Sequence, residues 1–355
     1  MKTALLTTRV YTRIFISALL ATSLITISIL EFGTTPLRNT ICRTMYPERA
    51  SNTVYTTEVA SYVNASSLIA HLLAIRDGQM VSSSIIPGEI IHQSWKTQDV
   101  PPAYHSLMTS WRAMYSNWTY VLWDNDSNRA LVKTLYPEWL SAYDALPADI
   151  YRAYFTRNLY MHAFGGIYAD IDSEAVSPLD PLLEARRAAG TPTAFLGTMG
   201  TSSHYLHGIP NAFMAASAPS HPFWLVVAQD AVDWSRARSW DRSTPAPGPE
   251  YVSGPVSLRR SLIKYSPSLS ESPTVEVADA LAYSTSNETT APVVLFSPKV
   301  VYPFAWDRPR PRLSTATQEC VCWMAMSTFN PETCKRMMGA RWVIHYWKHT
   351  WQSGF

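Results

Sequence analysis

The stretch from residue 147 to 172 limits most sharply how this chain can fold. Pro147 opens a helical pattern that runs to Phe164, Gly165-Gly166 stops it, and Ile167-Tyr168-Ala169-Asp170-Ile171-Asp172 reads as a strand. A helix joined to a strand by two residues must fold back antiparallel on it. Roughly 25 Å of helix against about 20 Å of strand then sets the helix's N-terminal half beside the strand's C-terminal end. Arg152 and Arg157 are therefore expected near Asp170 and Asp172. On the N-terminal side, Glu89–His92 reads as a strand, Tyr104–Tyr115 as a helix and Tyr120–Trp123 as a strand. Asp124-Asn125-Asp126-Ser127 supplies a turn and a cap for a helix ending at Leu135, with Pro137 beyond it. Such alternation predicts an α/β fold. Phe223–Trp234 is an amphipathic helix, and Arg341–Trp347 reads as a final strand.

With 47% hydrophobic and 16% charged residues, 355 residues suffice for one large domain or two modest ones. The 29 Lys plus Arg against 27 Asp plus Glu are too evenly balanced for a polyelectrolyte partner, which argues against nucleic acid. Ile14–Leu30 carries no charge and would make roughly 25 Å of helix, a short membrane span. A cleaved signal peptide is the rival reading, but Glu31-Phe32-Gly33 offers no small-x-small site. Lys2, Arg9 and Arg13 precede the span and hold the N-terminus in the cytosol, so the rest is expected in the lumen of the Golgi or the endoplasmic reticulum, as in a single-pass type II protein. The expected organisation is a tail and signal-anchor over 1–34, a stem over 35–84 and a catalytic domain over 85–355. Sequons at Asn64, Asn117, Asn125 and Asn287 are compatible with that placement. Among the four cysteines, a bridge from Cys334 to Cys320 or Cys322 is expected, with Cys42 free or paired to another chain.

In an extended strand, residues i and i+2 point to one face about 6.6 to 7 Å apart, so Asp170 and Asp172 are expected to project together. Two carboxylates in one small volume repel unless a divalent cation or a bound cationic group lies between them. Oxygen ligands favour Mg²⁺, Mn²⁺ or Ca²⁺. The carboxyl end of a strand in an α/β sheet is also where such folds bind nucleotides. A metal held there would bridge a nucleotide diphosphate and offset its charge as it leaves. Capping is the preferred reading of Asp124 and Asp126.

The segments Ile90–Lys96, Arg152–Asp172 and His345–Trp351 together resemble family 32 glycosyltransferases, the fungal mannosyltransferases related to the initiating α-1,6-mannosyltransferase and to inositol phosphoceramide mannosyltransferases. Ile209–Met214, Ser220–Trp224 and Ser253-Gly254-Pro255 match in order, so the resemblance covers about residues 85 to 355. It implies a GT-A type fold with a mixed central sheet, a sugar-nucleotide donor (GDP-mannose), Mn²⁺ or Mg²⁺, and transfer with retention. By the same resemblance, Asp170 touches the donor ribose and sugar, Asp172 binds the metal, and Arg157 and Arg152 serve the donor. His345 or His349 completes the metal shell, Trp351 contacts phosphate, and His92 and Trp95 lie where the family places the base. One position departs: the family's Arg-Ala-Asp is Arg152-Ala153-Tyr154 here, so a phenol replaces an acid expected to hold sugar hydroxyls. The expected function is mannosyl transfer to a glycan, glycolipid or small hydroxylated acceptor. The alternatives are inositol phosphoceramide mannosyl transfer, or a non-catalytic lumenal protein that binds sugar nucleotides.

Overall fold

A computed structural model describes residues 35–45, 64–76, 85–200, 207–237, 247–267, 291–305 and 313–348. They fall into two compact units, the smaller drawn from Met1–Val54, Trp306–Met338 and Tyr346–Thr350. The anchor segment Ile14–Leu30, the sequon at Asn287, His349 and Trp351 lie outside the described residues. Among the described residues no helix is long and apolar enough to cross a membrane.

In the smaller unit, helices Thr35–Met45, Leu313–Cys322 and Pro331–Met338 are joined by two disulfides, Cys42–Cys320 and Cys322–Cys334. The short-range bridge is one of the two expected. Cys42 is neither free nor intermolecular: it pairs across a separation of 278 residues, which no local spacing signals. Arg38 stacks over the Trp323 ring at 5.0 Å, and the Trp323 indole donates to the Trp347 carbonyl at 2.7 Å.

The larger unit is built on a six-stranded mixed sheet in the order β2-β1-β3-β6-β5-β7. Its strands are β1 (Ile90–Ser94), β2 (Thr119–Trp123), β3 (Gly166–Ala169), β5 (Ala194–Gly197), β6 (Phe213–Ala216) and β7 (Val293–Phe296). β1 runs parallel to β2 and β3, and β6 runs antiparallel to β3 and β5. The expectation of an α/β fold with a mixed central sheet holds. Strands β4 (Ser173–Ala175) and β8 (Val343–His345) form a separate antiparallel pair. The segment read as stem contributes helix Ala65–Arg76, whose Ala65, Leu68 and Ile69 lie in the main core. Packing therefore begins before residue 85, because those apolar side chains have a core to enter.

The Gly-Gly turn forms as expected between helix Asp149–Phe164 and β3, and both glycines are sterically required. Gly165 and Gly166 have φ of +66° and +87°, a region that L side chains rarely adopt. Asp124 caps helix Asn125–Leu135, its carboxylate accepting from the Ser127 amide at 2.8 Å.

His92 belongs to this scaffold and not to a ligand site. It is fully buried beside the rings of Trp123, Tyr160 and Phe164. The Trp123 indole N–H donates to its Nδ1 at 3.0 Å, and the Gly165 carbonyl lies 3.0 Å from its Nε2. Since an indole only donates and a carbonyl only accepts, the ring is the neutral Nε2–H tautomer. Burial holds its pKa down at about 3, against the pull of the Gly165 carbonyl. Burial likewise lowers His221 to about 4, against its bond to the Pro292 carbonyl.

Both rings are neutral in the fold and take up a proton only on unfolding once the pH is below about 6.5. The unfolded chain then binds more protons, so stability falls as pH drops from about 6.5 toward 4. The loss is up to about 1.4 kcal/mol per pH unit for each ring. Urea midpoints at pH 7.0, 5.5 and 4.5 should decrease in order, and a flat series would show that neither ring is neutral in the fold.

Candidate functional site

The strand expected to reach Asp172 ends at Ala169. Asp170 closes it, its amide donating to the Ala212 carbonyl at 2.9 Å. The Asp170 carbonyl accepts from the Ser173 amide at 3.0 Å, the Ser173 hydroxyl at 2.5 Å and the Gln93 side chain at 3.3 Å. Asp170 and Asp172 are therefore brought together by a tight turn between β3 and β4, not by alternation along one strand. The turn sits at the carboxyl ends of the parallel strands β1 and β3, where α/β sheets open a ligand crevice.

His345 enters from far along the chain, because its strand β8 pairs with β4 and sets Ser173 opposite His345. Its Nε2 lies 3.0 Å from an Asp172 oxygen and 3.7 Å from an Asp170 oxygen. One ligand atom from each of Asp170, Asp172 and His345 falls within 4.8 Å of the others. On the other side of Asp170, the Arg157 guanidinium pairs with its Oδ1 at 3.0 Å, and the Tyr168 hydroxyl donates to the same oxygen at 2.5 Å. The side chains are 24% exposed at Asp170 and 12% at Asp172, against 7% at Arg157 and 5% at His345. The carboxylates thus face outward and the cations lie behind them.

The charges are balanced. Burial disfavours a charged His345 ring, but the negative charges of Asp172 and Asp170 beside it outweigh that and raise the pKa to about 9. Burial likewise works against the Arg157 charge, and Asp170 more than restores it. Two cations therefore answer two carboxylates, which meets the expected need for positive charge in the pair. Two carboxylates and an imidazole also form a donor set that fits a divalent cation, which on binding would displace the His345 proton.

The other expected site residues divide. Arg152 is not at the site: it pairs with Asp149 at 2.8 Å and donates to the carbonyls of Tyr143, Asp144 and Leu146. Five residues separate it from Arg157, more than one turn of helix, so the two side chains leave on different faces. Trp95 follows β1, its ring tilted on Tyr104 at 5.3 Å and its buried indole N–H without a hydrogen-bond partner among the described residues. Tyr168, Gln93 and Asn211 were not anticipated. Asn211 accepts from Arg157 through its backbone carbonyl at 3.2 Å, while its buried side-chain amide nitrogen makes no hydrogen bond among the described residues. Tyr168 stood inside the motif as an apparent core aromatic, and nothing local marks its hydroxyl for Asp170.

A turn-borne carboxylate pair with an imidazole and a guanidinium behind it, at the carboxyl end of a mixed sheet, makes this an α/β protein with a candidate metal and donor site there. Residues 101–189 match the family described as "Glycosyltransferase sugar-binding region containing DXD motif", and Asp170-Ile171-Asp172 supplies that motif. That match agrees with the resemblance drawn from the sequence. It is 35% identical over 148 residues to "Inositol phosphoceramide mannosyltransferase 3" of Schizosaccharomyces pombe, covering 42% of this chain and 38% of that relative. It is 32% identical over 143 residues to "Mannosyl phosphorylinositol ceramide synthase CSH1" of Saccharomyces cerevisiae, covering 40% and 34%. With "Initiation-specific alpha-1,6-mannosyltransferase" of Saccharomyces cerevisiae it shares 31% over 98 residues, covering 25% and 20%. The matched region spans under two-fifths of the length of these curated relatives. Among solved structures, "PaToxG Glycosyltransferase" aligns over 78% of this chain and 96% of its own at 12% identity, with a TM-score of 0.38, too slight a likeness to bear on the site.

Proposed function

We propose that the chain is a metal-dependent mannosyltransferase of the secretory pathway, with a GT-A type fold, that takes mannose from GDP-mannose with retention of configuration. The carrying observation is the convergence of Asp170, Asp172 and His345 within 4.8 Å, beside the Arg157–Asp170 pair at 3.0 Å. Asp170, Asp172 and His345 would hold Mn²⁺, which tolerates the mixed oxygen and nitrogen set and, when bound, supplies positive charge against a leaving diphosphate. Arg157 fixes one face of Asp170 and offers a second cation to donor oxygens. Tyr168 and Arg157 together hold Asp170 in one orientation, so this carboxylate needs no reorganisation when a ligand arrives. A transmembrane anchor at Ile14–Leu30 and a lumenal site are part of the reading, and two disulfides support an oxidising compartment.

A glycan or a small hydroxylated molecule is one acceptor. Inositol phosphoceramide is the second reading, favoured by the names of the relatives at 35% and 32% identity. The test is transfer by the full-length protein in membranes from a panel of nucleotide sugars, with Mn²⁺ or with chelator. Mn²⁺-dependent mannose transfer is expected, and nucleotide binding without any turnover of donor would replace this reading with a non-catalytic one.

A further inference from the structure

The sequons at Asn117 and Asn125 flank β2, one on each side, and the fold treats them differently. Asn117 lies between helix His105–Met114 and the strand. The Tyr115 amide closes that helix on the Trp111 carbonyl at 3.0 Å, and the Trp118 amide then donates to the Tyr115 carbonyl at 2.9 Å. Residues 115–118 therefore form a β-turn with Asn117 at its third position.

Tyr115 anchors the turn from within. It is buried, its ring stacks on Trp111 at 6.0 Å and tilts against Trp118 at 4.9 Å, and its hydroxyl accepts from the Leu179 amide at 2.9 Å. With Tyr115 held inward, Asn117 is left outside: it is exposed, and its side chain makes no hydrogen bond among the described residues. Thr119, the hydroxyl residue of this sequon, opens β2, its amide held by the Glu89 carbonyl at 3.0 Å. Its side chain is half-buried and makes no hydrogen bond among the described residues.

At Asn125 both polar groups of the sequon are engaged. The Asn125 amide nitrogen donates to the Asp149 carboxylate at 2.9 Å. Ser127 is buried, and its hydroxyl accepts from the Asp124 amide at 2.8 Å while donating to the Asp124 carboxylate at 2.6 Å. That exchange caps the helix, so freeing the hydroxyl would undo the cap.

Topology separates the two further. β2 runs parallel to β1, with Thr119 beside Ile90 and Trp123 beside Ser94, and β3 is parallel to β1 on its other side. Asn117 thus stands at the amino end of these strands, and Asn125 at the carboxyl end, where the Asp170–Asp172 turn follows β3. The five residues of β2 put roughly 17 Å of strand between the two ends. A glycan on Asn117 leaves the crevice clear, whereas one on Asn125 would stand at the end where it opens.

We infer that Asn117 carries an N-linked glycan and that Asn125 does not. The Asn117 amide nitrogen bonds to the anomeric carbon of an oligosaccharide held on a lipid diphosphate. The bond from that carbon to the diphosphate breaks, the lipid diphosphate leaves with the electron pair, and the amide gives up one proton. The inference rests on the lumenal placement proposed above, because only there does the chain meet such a donor.

The experiment uses the full-length chain made in a eukaryotic cell and purified from its membranes. Peptide N-glycosidase converts each glycosylated asparagine to aspartate, and peptide mass spectrometry reads which sequons have changed. Asn117 should be recovered as aspartate and Asn125 as asparagine. Asn117→Gln and Thr119→Ala should each lose one glycan, seen as the same step in gel mobility, and Thr119→Ser, which keeps the hydroxyl, should retain it. Conversion at Asn64 or Asn287 with Asn117 unchanged would overturn the inference and leave the lumenal placement standing. So would conversion at Asn125, which would show that its capped helix does not exclude a glycan. If no sequon is converted, the lumenal placement fails and this inference fails with it.

Discussion

Asp172→Asn is expected to lower metal-stimulated transfer about a hundredfold or more, the scale of removing one preorganised electrostatic partner from a developing charge. Asparagine keeps the shape and one acceptor oxygen but loses the charge that draws a divalent cation. Asp172 is also the nearer carboxylate to His345, 3.0 Å against 3.7 Å for Asp170, so the variant weakens two members of the donor set at once. The fold should survive. The Ser173 amide and hydroxyl close the turn on the Asp170 carbonyl, and the substitution leaves those bonds in place. Mn²⁺ affinity measured by electron paramagnetic resonance should fall together with transfer. Arg157→Ala offers the contrast: it should slow transfer by loss of a cation near donor oxygens while Mn²⁺ is still bound. If Asp172→Asn transfers mannose at near the wild-type rate with the same metal dependence, the carboxylate pair is a solvated turn and the proposed function is wrong.

Gly166→Ala should destabilise the protein by about 4 kcal/mol or more, combining the strain of a left-handed alanine with overpacking in a closed site. A Cβ there would lie 2.2 Å from the Ile90 carbonyl oxygen and 3.0 Å from the Ile90 carbonyl carbon and amide nitrogen, all backbone atoms that no rotamer change can move. At φ of +87° the alanine is strained whatever space it finds. Relief would require β1 and β3 to part, and their pairing of Ile91 with Ile167 and His92 with Tyr168 carries the site turn. Against a typical total stability of about 5 to 15 kcal/mol, such a loss removes much of the folded population. Gly190→Ala is the control. Gly190 also has positive φ, +67°, but among the described residues no atom outside its immediate chain neighbours lies within 4 Å of its would-be Cβ, so the cost should be only about 1 to 2 kcal/mol. Urea denaturation of both variants measures the difference, and equal losses would mean that β1 and β3 do not approach as closely as described.

What could be read from residues in order was governed by short-range sterics. The double glycine, the Asp124 cap, the helix from about Pro147 and the closeness of Arg157 to Asp170 each follow from turn chemistry or from the rise of a helix against a strand, so a few adjacent residues specify them. The same local logic erred where two local outcomes compete. Ile167–Asp172 has the alternation of a strand, but Ser173 reaches back to the Asp170 carbonyl and turns the chain instead. His92 has the position of a ligand-binding residue at the end of an apolar run, and only its surroundings show it to be a neutral core group. Partners brought from a distance were beyond such reading. His345 reaches the carboxylates because β8 pairs with β4, and Cys42 finds Cys320 across 278 residues. No spacing in the chain encodes those meetings, since pairing depends on which faces are left to cover once the six-stranded sheet has formed. The amino-acid order thus settled the chemistry on offer at Asp170 and Asp172 and the closeness of Arg157, while long-range packing settled that His345 stands beside them.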